Sequence, residues 1–478
     1  MTDIREILSA ASQLAIEYRE GVTQNSPYEK SSAKDLEALF DVGLPQTGRP
    51  GVEVVSQLAD AANSGLLGVT GDAFFGWVMG SSHPVGVAAD WLASAWGQNA
   101  AIYQTSPAAA VAEGVAVKWL LDLLDLPRQS SIGFTTGATM ASFICLAAAR
   151  SEMLKRGGFD LERDGMFGVP EVSVFVSQEA HSSIFSALRC LGFGMARLVL
   201  IGADKQGRMS ALDLAEKLKE REGPKIIISQ AGHINSGAFD DFNAISDLAT
   251  SSEAWLHIDG AFGLWARAAP DYQKLCDGIE RADSWAVDGH KWLQVPYESG
   301  YAIVKHPEAH KRAMTISASY LNVSDEDGRN PSQFVPELSR RARGFATWAV
   351  LQALGRDGVE ALVNDNCRVA QDLSRRLDCV PGISVLNEVC LNQVVISFGS
   401  ETLLANDDEL TLAVVQRLQE EGSWFVKEAQ WFGRRVMRIS FSSASGSNLD
   451  VKMFAGAIIA AWESVMRETQ LELDEIHQ

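Results

Sequence analysis

The chain has 478 residues, 46% hydrophobic and 21% charged, the balance of a globular protein of two or three domains. Its 61 acidic against 41 basic residues give a net charge of −20, which argues against nucleic acid or an anionic membrane surface as a partner. Six cysteines without a CxxC pair, no apolar run near the roughly 18 residues of a membrane span, and the acidic start MTDIREIL point to free, mostly buried thiols in a reducing cytoplasm.

Residues 1 to 24 read as an amphipathic helix, because Ile4, Ile7, Leu8, Leu14, Ala15 and Tyr18 recur at three- and four-residue steps. A loop-rich linker with Pro27, Pro45, Gly48, Pro50 and Gly51 follows, interrupted by a short helix over 33–40. From residue 83 the pattern alternates, with helices expected over 84–97, 107–124, 138–156 and 180–192. Buried strands are expected over 172–176, 198–201, 225–229, 254–258, 284–287 and 300–304, the signature of an α/β domain around a largely parallel sheet. A helix over 340–354 reads as a connector. Beyond it, strands over 393–398 and 436–441 among helices over 411–420 and 451–469 read as a smaller α+β domain. The expected division is therefore an N-terminal segment 1–82, a large domain 83–355 and a small domain 356–478.

Two short motifs in the middle carry chemistry. His257-Ile258-Asp259-Gly260-Ala261 ends one apolar strand, and Asp288-Gly289-His290-Lys291-Trp292 follows another. The strand ends of an open α/β sheet are where active sites lie. An aspartate and a lysine 32 residues apart in that setting are what a pyridoxal phosphate (PLP) enzyme requires. The lysine amine forms the Schiff base with the cofactor aldehyde, and the carboxylate keeps the pyridine nitrogen protonated. Each residue alone has a plainer reading: Asp259 as a turn or capping residue, Lys291 as a surface lysine at a strand end. A metal reading of His257 and Asp259 lacks a third ligand nearby. Thr135-Thr136-Gly137-Ala138-Thr139 before an apolar helix offers backbone N–H groups and hydroxyls to a phosphate, although such turns also serve simply as helix caps. Gln178-Glu179-Ala180-His181-Ser182-Ser183 places an imidazole at the next helix start, where it reads either as structural or as a partner for a flat ring.

Order and spacing together resemble the group II, fold type I PLP-dependent decarboxylases, the family of the aromatic-L-amino-acid and glutamate decarboxylases. The resemblance runs from Phe74 to Arg438 and rests on FFGWVMGSSHPVGVAADWLASAW, TTGATMASFICLAAAR, SQEAHSS, HINSGAFDDF, WLHIDGAFG, ADSWAVDGHKWL, SRRARG and VMRISFS. It implies a fold type I transferase fold, with a mostly parallel seven-stranded sheet in the large domain, a small C-terminal α+β domain and an N-terminal helical segment. By the same resemblance Gly137, Ala138 and Thr139 hold the cofactor phosphate, His290 supports it, and His181 stacks on the pyridine ring. Asp259 pairs with the ring nitrogen, Ala261 packs beside it, and Lys291 carries the cofactor. His233, Ile234 and Asn235 match a turn near the phenolic oxygen. Tyr320, 29 residues after Lys291, matches a loop tyrosine that aids protonation of the carbon left after CO2 departs. Arg438 matches an arginine of the small domain near the active site, and Phe75, Trp77, Tyr103, Phe262 and Tyr297 match positions lining the side-chain pocket.

The chain departs from the family pattern at Met140, Ser142, His233 and Met79. The last two bear on cofactor hydrogen bonding and on substrate. The leading expectation is decarboxylation of an aromatic or bulky apolar L-amino acid to an amine, by a homodimer whose active sites lie at the subunit interface. Another PLP-dependent lyase, an aldehyde synthase or an aminotransferase is the alternative, and a catalytically silent binding protein is a third reading. Retention of Tyr320 speaks against aldehyde synthesis, and presence of both Lys291 and Asp259 speaks against a silent fold.

Overall fold

The computed structural model describes residues 4–316, 328–400, 406–443 and 449–476. They fall into two compact units, one formed by Val78–Ser374 with Leu386–Val395 and the other by Met1–Trp77, Arg375–Val385 and Ile396–Gln478.

The larger unit is built on seven strands: β1 (Ser131–Thr135), β2 (Ser173–Ser177), β3 (Val199–Ile201), β4 (Lys225–Gln230), β5 (Trp255–Asp259), β6 (Ser284–Asp288) and β7 (Gly300–Val304). Their order is β1-β7-β6-β5-β4-β2-β3. β7 runs antiparallel to both neighbours, and the remaining pairs are parallel. This is the mostly parallel α/β sheet expected for fold type I. Five of the strands are buried along their whole length, because helices cover both faces. The alternation of a strand sorts the side chains. Ile226, Ile228, Trp255, Ala286 and Ala302 pack with Ala141, Ile144 and Cys145 of the helix Ala138–Arg156. Ile227, Leu256, Ile258, Trp285 and Ile303 build the core of the opposite face. Asp259 and Asp288 share the parity of Trp255 and Ala286, which sends both carboxylates to the face of that helix.

Helices start where the chain supplies a cap or a proline. Pro84, Pro107 and Pro307 occupy first-turn positions, where a missing N–H costs no hydrogen bond. His181 caps the helix Ser182–Cys190, which therefore begins two residues later than its periodicity suggests. The helix expected from 340 starts at Gly344 and runs to Leu377, broken at Gly355, whose φ of 61° interrupts it.

The smaller unit carries the helices Ile4–Gly21, Ala33–Phe40 and Gly51–Asn63 near the start of the chain, and Asp407–Glu421 and Val451–Ile476 near its end. Most of a four-stranded sheet belongs to it: β8 (Ile383–Val385), β9 (Gln393–Phe398), β10 (Lys427–Trp431) and β11 (Arg434–Ser440), in the order β10-β11-β9-β8. Two aromatic groups pack within it, Tyr28 and Phe74 against Phe425, and Phe75 with Trp424 and Phe454. All six cysteines are free. Cys145, Cys276 and Cys367 are buried, whereas Cys190 and Cys379 are exposed, so burial is less general than the apolar context suggests. Among the described residues no helix is long and apolar enough to cross a membrane, and no cluster could hold a metal ion.

Candidate active site

At the carboxyl ends of the central strands, three chain reversals meet. β5 ends in Asp259, β6 ends in Asp288, and β1 ends in the Thr135–Gly137 turn that opens the helix Ala138–Arg156. Gly300, the first residue of β7, is in register with both Thr135 and Asp288. A Cβ there would stand 2.4 Å from the Gly137 Cα, so only glycine lets the turn lie down on the sheet. Thr135 ties the turn internally, its Oγ1 donating to the Gly137 carbonyl at 3.0 Å. The Gly137 position is equally confined, since a Cβ on it would meet the His290 ring at 2.9 Å.

Lys291 lies on a reversal between β6 and β7. The Gly289 and His290 N–H groups donate to the Ser299 carbonyl at 2.9 and 3.1 Å, and Trp265 Nε1 donates to the Asp288 carbonyl at 2.9 Å. A second strand of chain buttresses this turn from outside. A Cβ on Gly80 would come within 2.2 Å of the Lys291 carbonyl oxygen, and Ser81 donates through both N–H and O–H to Gln294 Oε1 at 2.6 Å. Val78, Ser82, Gln294 and Glu298 all have positive φ, between 55° and 65°. For a β-branched residue such as Val78 that is strained backbone, held in place by the packing around it.

The electrostatics single out Asp259. It is buried, and burial pushes its carboxyl above the usual carboxylate range. The positive charges of His181 and Lys291 pull the other way, and the negative charge of Asp288 adds to the rise. Among the described residues its carboxylate accepts one hydrogen bond, from the Ala261 N–H at 3.2 Å. The Lys291 amine stands 3.0 Å from Asp288 Oδ2. Burial pushes the His290 imidazole below its usual range, and its Nδ1 accepts from the Ser299 N–H at 3.4 Å. His181 presents its Nδ1 to the Ser183 N–H at 3.3 Å and to the Ser183 hydroxyl at 2.7 Å.

Of the residues singled out from sequence, Gly137, Ala138, Asp259, Ala261, His290 and Lys291 share this end of the sheet. Thr139 follows in the first turn of the same helix. His181 joins them through its field on Asp259. His233 and Asn235 form a buried turn in which His233 Nδ1 accepts from the Asn235 N–H at 3.2 Å, and His233 Nε2 lies 3.9 Å from Glu179. Tyr297 is half exposed, its ring 4.8 Å from that of His290. Phe262 is buried beside Trp292, and the Tyr103 N–H donates to Asn330 Oδ1 at 3.1 Å. Phe75, Trp77 and Arg438 belong to the smaller unit. There Phe75 is buried against Phe454, Trp77 is half exposed beside Phe425, and burial pushes the Arg438 guanidinium down to about 10. Tyr320 lies outside the described residues. Asp288, Gly80 and Gln294 were not singled out from sequence. Asp288 carried a usable signal, a polar residue closing a buried strand as Asp259 does, whereas Gly80 and Gln294 carried none.

A cofactor with an anionic arm, an aldehyde and a ring nitrogen fits this donor set in kind. A confined helix start, a half-buried amine and a buried, under-bonded carboxylate are within one cluster.

Comparison with known proteins agrees. Residues 34–398 match the pyridoxal-dependent decarboxylase conserved domain. The aromatic-L-amino-acid decarboxylase of Bacillus atrophaeus is 24% identical over 446 residues, 91% of each chain. The L-2,4-diaminobutyrate decarboxylase of Rhizobium meliloti (strain 1021) is 30% identical over 366 residues, 72% of this chain and 67% of that one. The crystal structure of Oryza sativa TDC with PLP and tryptamine superposes with a TM-score of 0.87 at 22% identity, covering 98% of both chains. With three quarters of its length inside the conserved domain, the chain belongs to the pyridoxal-dependent decarboxylase family and is a PLP-dependent carboxy-lyase acting on an amino acid.

Proposed function

We propose that the chain binds PLP at Lys291 and decarboxylates an L-amino acid with an aromatic or bulky apolar side chain, releasing an amine and CO2. The observation that carries the reading is the pairing of a buried, under-bonded Asp259 with Lys291 and His181 in one electrostatic neighbourhood at the strand ends. PLP, when bound, supplies the electron sink into which the bonding pair passes as CO2 leaves.

The chain's own residues do the rest. Lys291 would tether the cofactor through its amine. Asp259 would hold a proton on the ring nitrogen, with Ala261 beside it. His181 would support the ring. Gly137, Ala138 and Thr139 would hold the phosphate with His290, and His233 and Asn235 would serve the phenolic oxygen. Tyr320 delivers the proton to the substrate carbon. By the family resemblance, Tyr103, Phe262 and Tyr297 would line the side-chain pocket. The aromatic preference is supported by the number of these rings and by the similarity to an aromatic-L-amino-acid decarboxylase. The similarity to a diaminobutyrate decarboxylase is the reason to test it.

The active form is a cytoplasmic homodimer in which residues 1–82 cover the partner subunit, residues 83–355 form the PLP-binding domain and 356–478 the small domain. Ile4, Leu8, Ile16, Val54 and Leu58 are exposed on the first and third helices, an apolar face that a second copy would cover.

The test is a screen of the twenty amino acids and DOPA for amine, CO2 and peroxide. Amine from tryptophan, tyrosine, phenylalanine or DOPA is expected, with none from glutamate, and Lys291→Ala abolishes it. Amine chiefly from diaminobutyrate or glutamate would overturn the side-chain preference, and peroxide with aldehyde would overturn the amine outcome.

A further inference from the structure

The Asp288 side chain is engaged on three sides by groups that the reading above assigns to the cofactor. Its Oδ1 accepts from the Ala138 N–H at 2.6 Å, the first residue of the helix that opens after Gly137. Its Oδ2 stands 3.0 Å from Lys291 Nζ, and His290 Nε2 is 3.4 Å from Oδ1. The side chain is only 4% exposed. A helix start attracts an anion because its first N–H groups lack helical partners and carry the positive end of the dipole. That seat is already taken by a carboxylate of this chain. A phosphate arriving at the same N–H would meet both a competitor and a like charge. The amine is engaged too, since it is held against the Asp288 carboxylate at 3.0 Å.

We propose that Asp288 is a placeholder anion. In the cofactor-free chain it closes the helix start and holds Lys291, and a phosphate-bearing cofactor enters only as Asp288 gives up both. The inference rests on the reading that residues 137–139 receive the phosphate and Lys291 the aldehyde. It adds a residue that sets how strongly the phosphate arm contributes to binding. The neutral amide of Asp288→Asn keeps an oxygen for the Ala138 N–H and removes the charge.

The experiment uses cofactor-free full-length protein, wild type and Asp288→Asn, titrated with PLP and with pyridoxal, which lacks the phosphate. Tryptophan fluorescence gives the affinities, and borohydride reduction followed by peptide mass locates the adduct. The ratio of pyridoxal to PLP dissociation constants is expected to rise about tenfold or more in Asp288→Asn, as a like charge leaves the phosphate seat. Inorganic phosphate should raise the melting temperature of the variant and leave the wild type nearly unmoved. A ratio that stays level or falls, or equal stabilisation of both proteins by phosphate, overturns the proposal while an adduct on Lys291 leaves the cofactor reading standing. Absence of any adduct on Lys291 in the wild type overturns both. Asp288→Ser, shorter and also neutral, gives the same readouts if the asparagine variant does not fold.

Discussion

Two clusters of buried charge in the larger unit are built to opposite rules. In one, both Glu113 oxygens are taken, Oε2 by Arg340 at 2.9 Å and Oε1 by Arg329 at 3.1 Å. Arg340 also donates to the Ala100 carbonyl at 3.0 Å and the Phe134 carbonyl at 2.9 Å, and Arg329 donates to the Ile132 carbonyl. In the other, Asp259 is buried too, but among the described residues it accepts only the Ala261 N–H. The first cluster fastens the segments around 100, 113, 132 and 340 to one another. The second leaves acceptor capacity that a ligand can use. Burial alone therefore does not mark an active site; a buried carboxylate with acceptor capacity left over, in the field of a lysine and an imidazole, is the stronger sign.

The sharpest way to break this contrast is to neutralise one carboxylate in each cluster. Asp259→Asn removes a charge that the apolar surroundings already disfavour, so the cofactor-free protein should melt at the wild-type temperature or above. PLP should still bind, while turnover falls by roughly a thousandfold, because an amide cannot hold a proton on the ring nitrogen. Steady-state rates beside thermal melts check both halves. Turnover near that of the wild type would show that Asp259 is a structural residue after all.

Glu113→Ala should do the reverse. It leaves two buried guanidinium groups facing each other without their anion, a loss of about 3–5 kcal/mol of stability. Urea unfolding of the cofactor-free protein measures that loss. The fraction that remains folded should keep a turnover number within a few-fold of the wild type, since the partners of Glu113 among the described residues are the two arginines and not Lys291. A collapse of turnover at unchanged stability would merge the two clusters into one functional site.

The two clusters were not equally legible in the sequence. Asp259 and Lys291 stand at the ends of apolar runs, where the strand period itself announces a site, and motif order did the rest. Glu113 and Arg340 are 227 residues apart on different elements, and nothing local marks their pairing. The strands at 131–135 and 427–431 carry no apolar run, because SIGFT contains a glycine between polar ends and KEAQW is mostly charged and polar. The helix Gly51–Asn63 was hidden behind Pro45, Gly48 and Pro50, which read as loop punctuation, although Pro50 in fact sits at the helix's N-cap. The helices Ala211–Lys219 and Phe242–Ser251 were legible too, through the capping side chains of Ser210 and Asp241 and through apolar residues at helical spacing, Leu214 and Leu218 in one and Phe242, Ile245 and Ala249 in the other. Asp288 stood in full view inside a recognised motif. Its role needed the register of β6 against β7 and the position of the helix start.

The structural cluster has a further consequence, smaller and readable by pH. His310 is fully buried next to it, with Nε2–H donating to the Phe334 carbonyl at 2.9 Å and Nδ1 accepting from the Ser131 hydroxyl at 2.9 Å. Burial, followed by the charge of Arg329, pushes its pKa from 6.5 down to about 3. With two guanidinium groups already sharing one carboxylate, a third cation has no anion to meet, so the folded chain keeps this ring neutral. The unfolded chain takes up the proton from about pH 6.5 downward. The stability contributed by the neutral ring is thus complete above that pH and is lost as the pH falls toward 3, at about 1.4 kcal/mol per pH unit. His310→Gln removes this proton from the balance. The variant should be less stable than the wild type at pH 7.5, where the ring's two hydrogen bonds are lost, and the gap should close steadily in urea unfolding series carried toward pH 5. Parallel stability curves across that interval would mean that His310 is protonated in the folded chain, and that the arginine cluster tolerates a third positive charge.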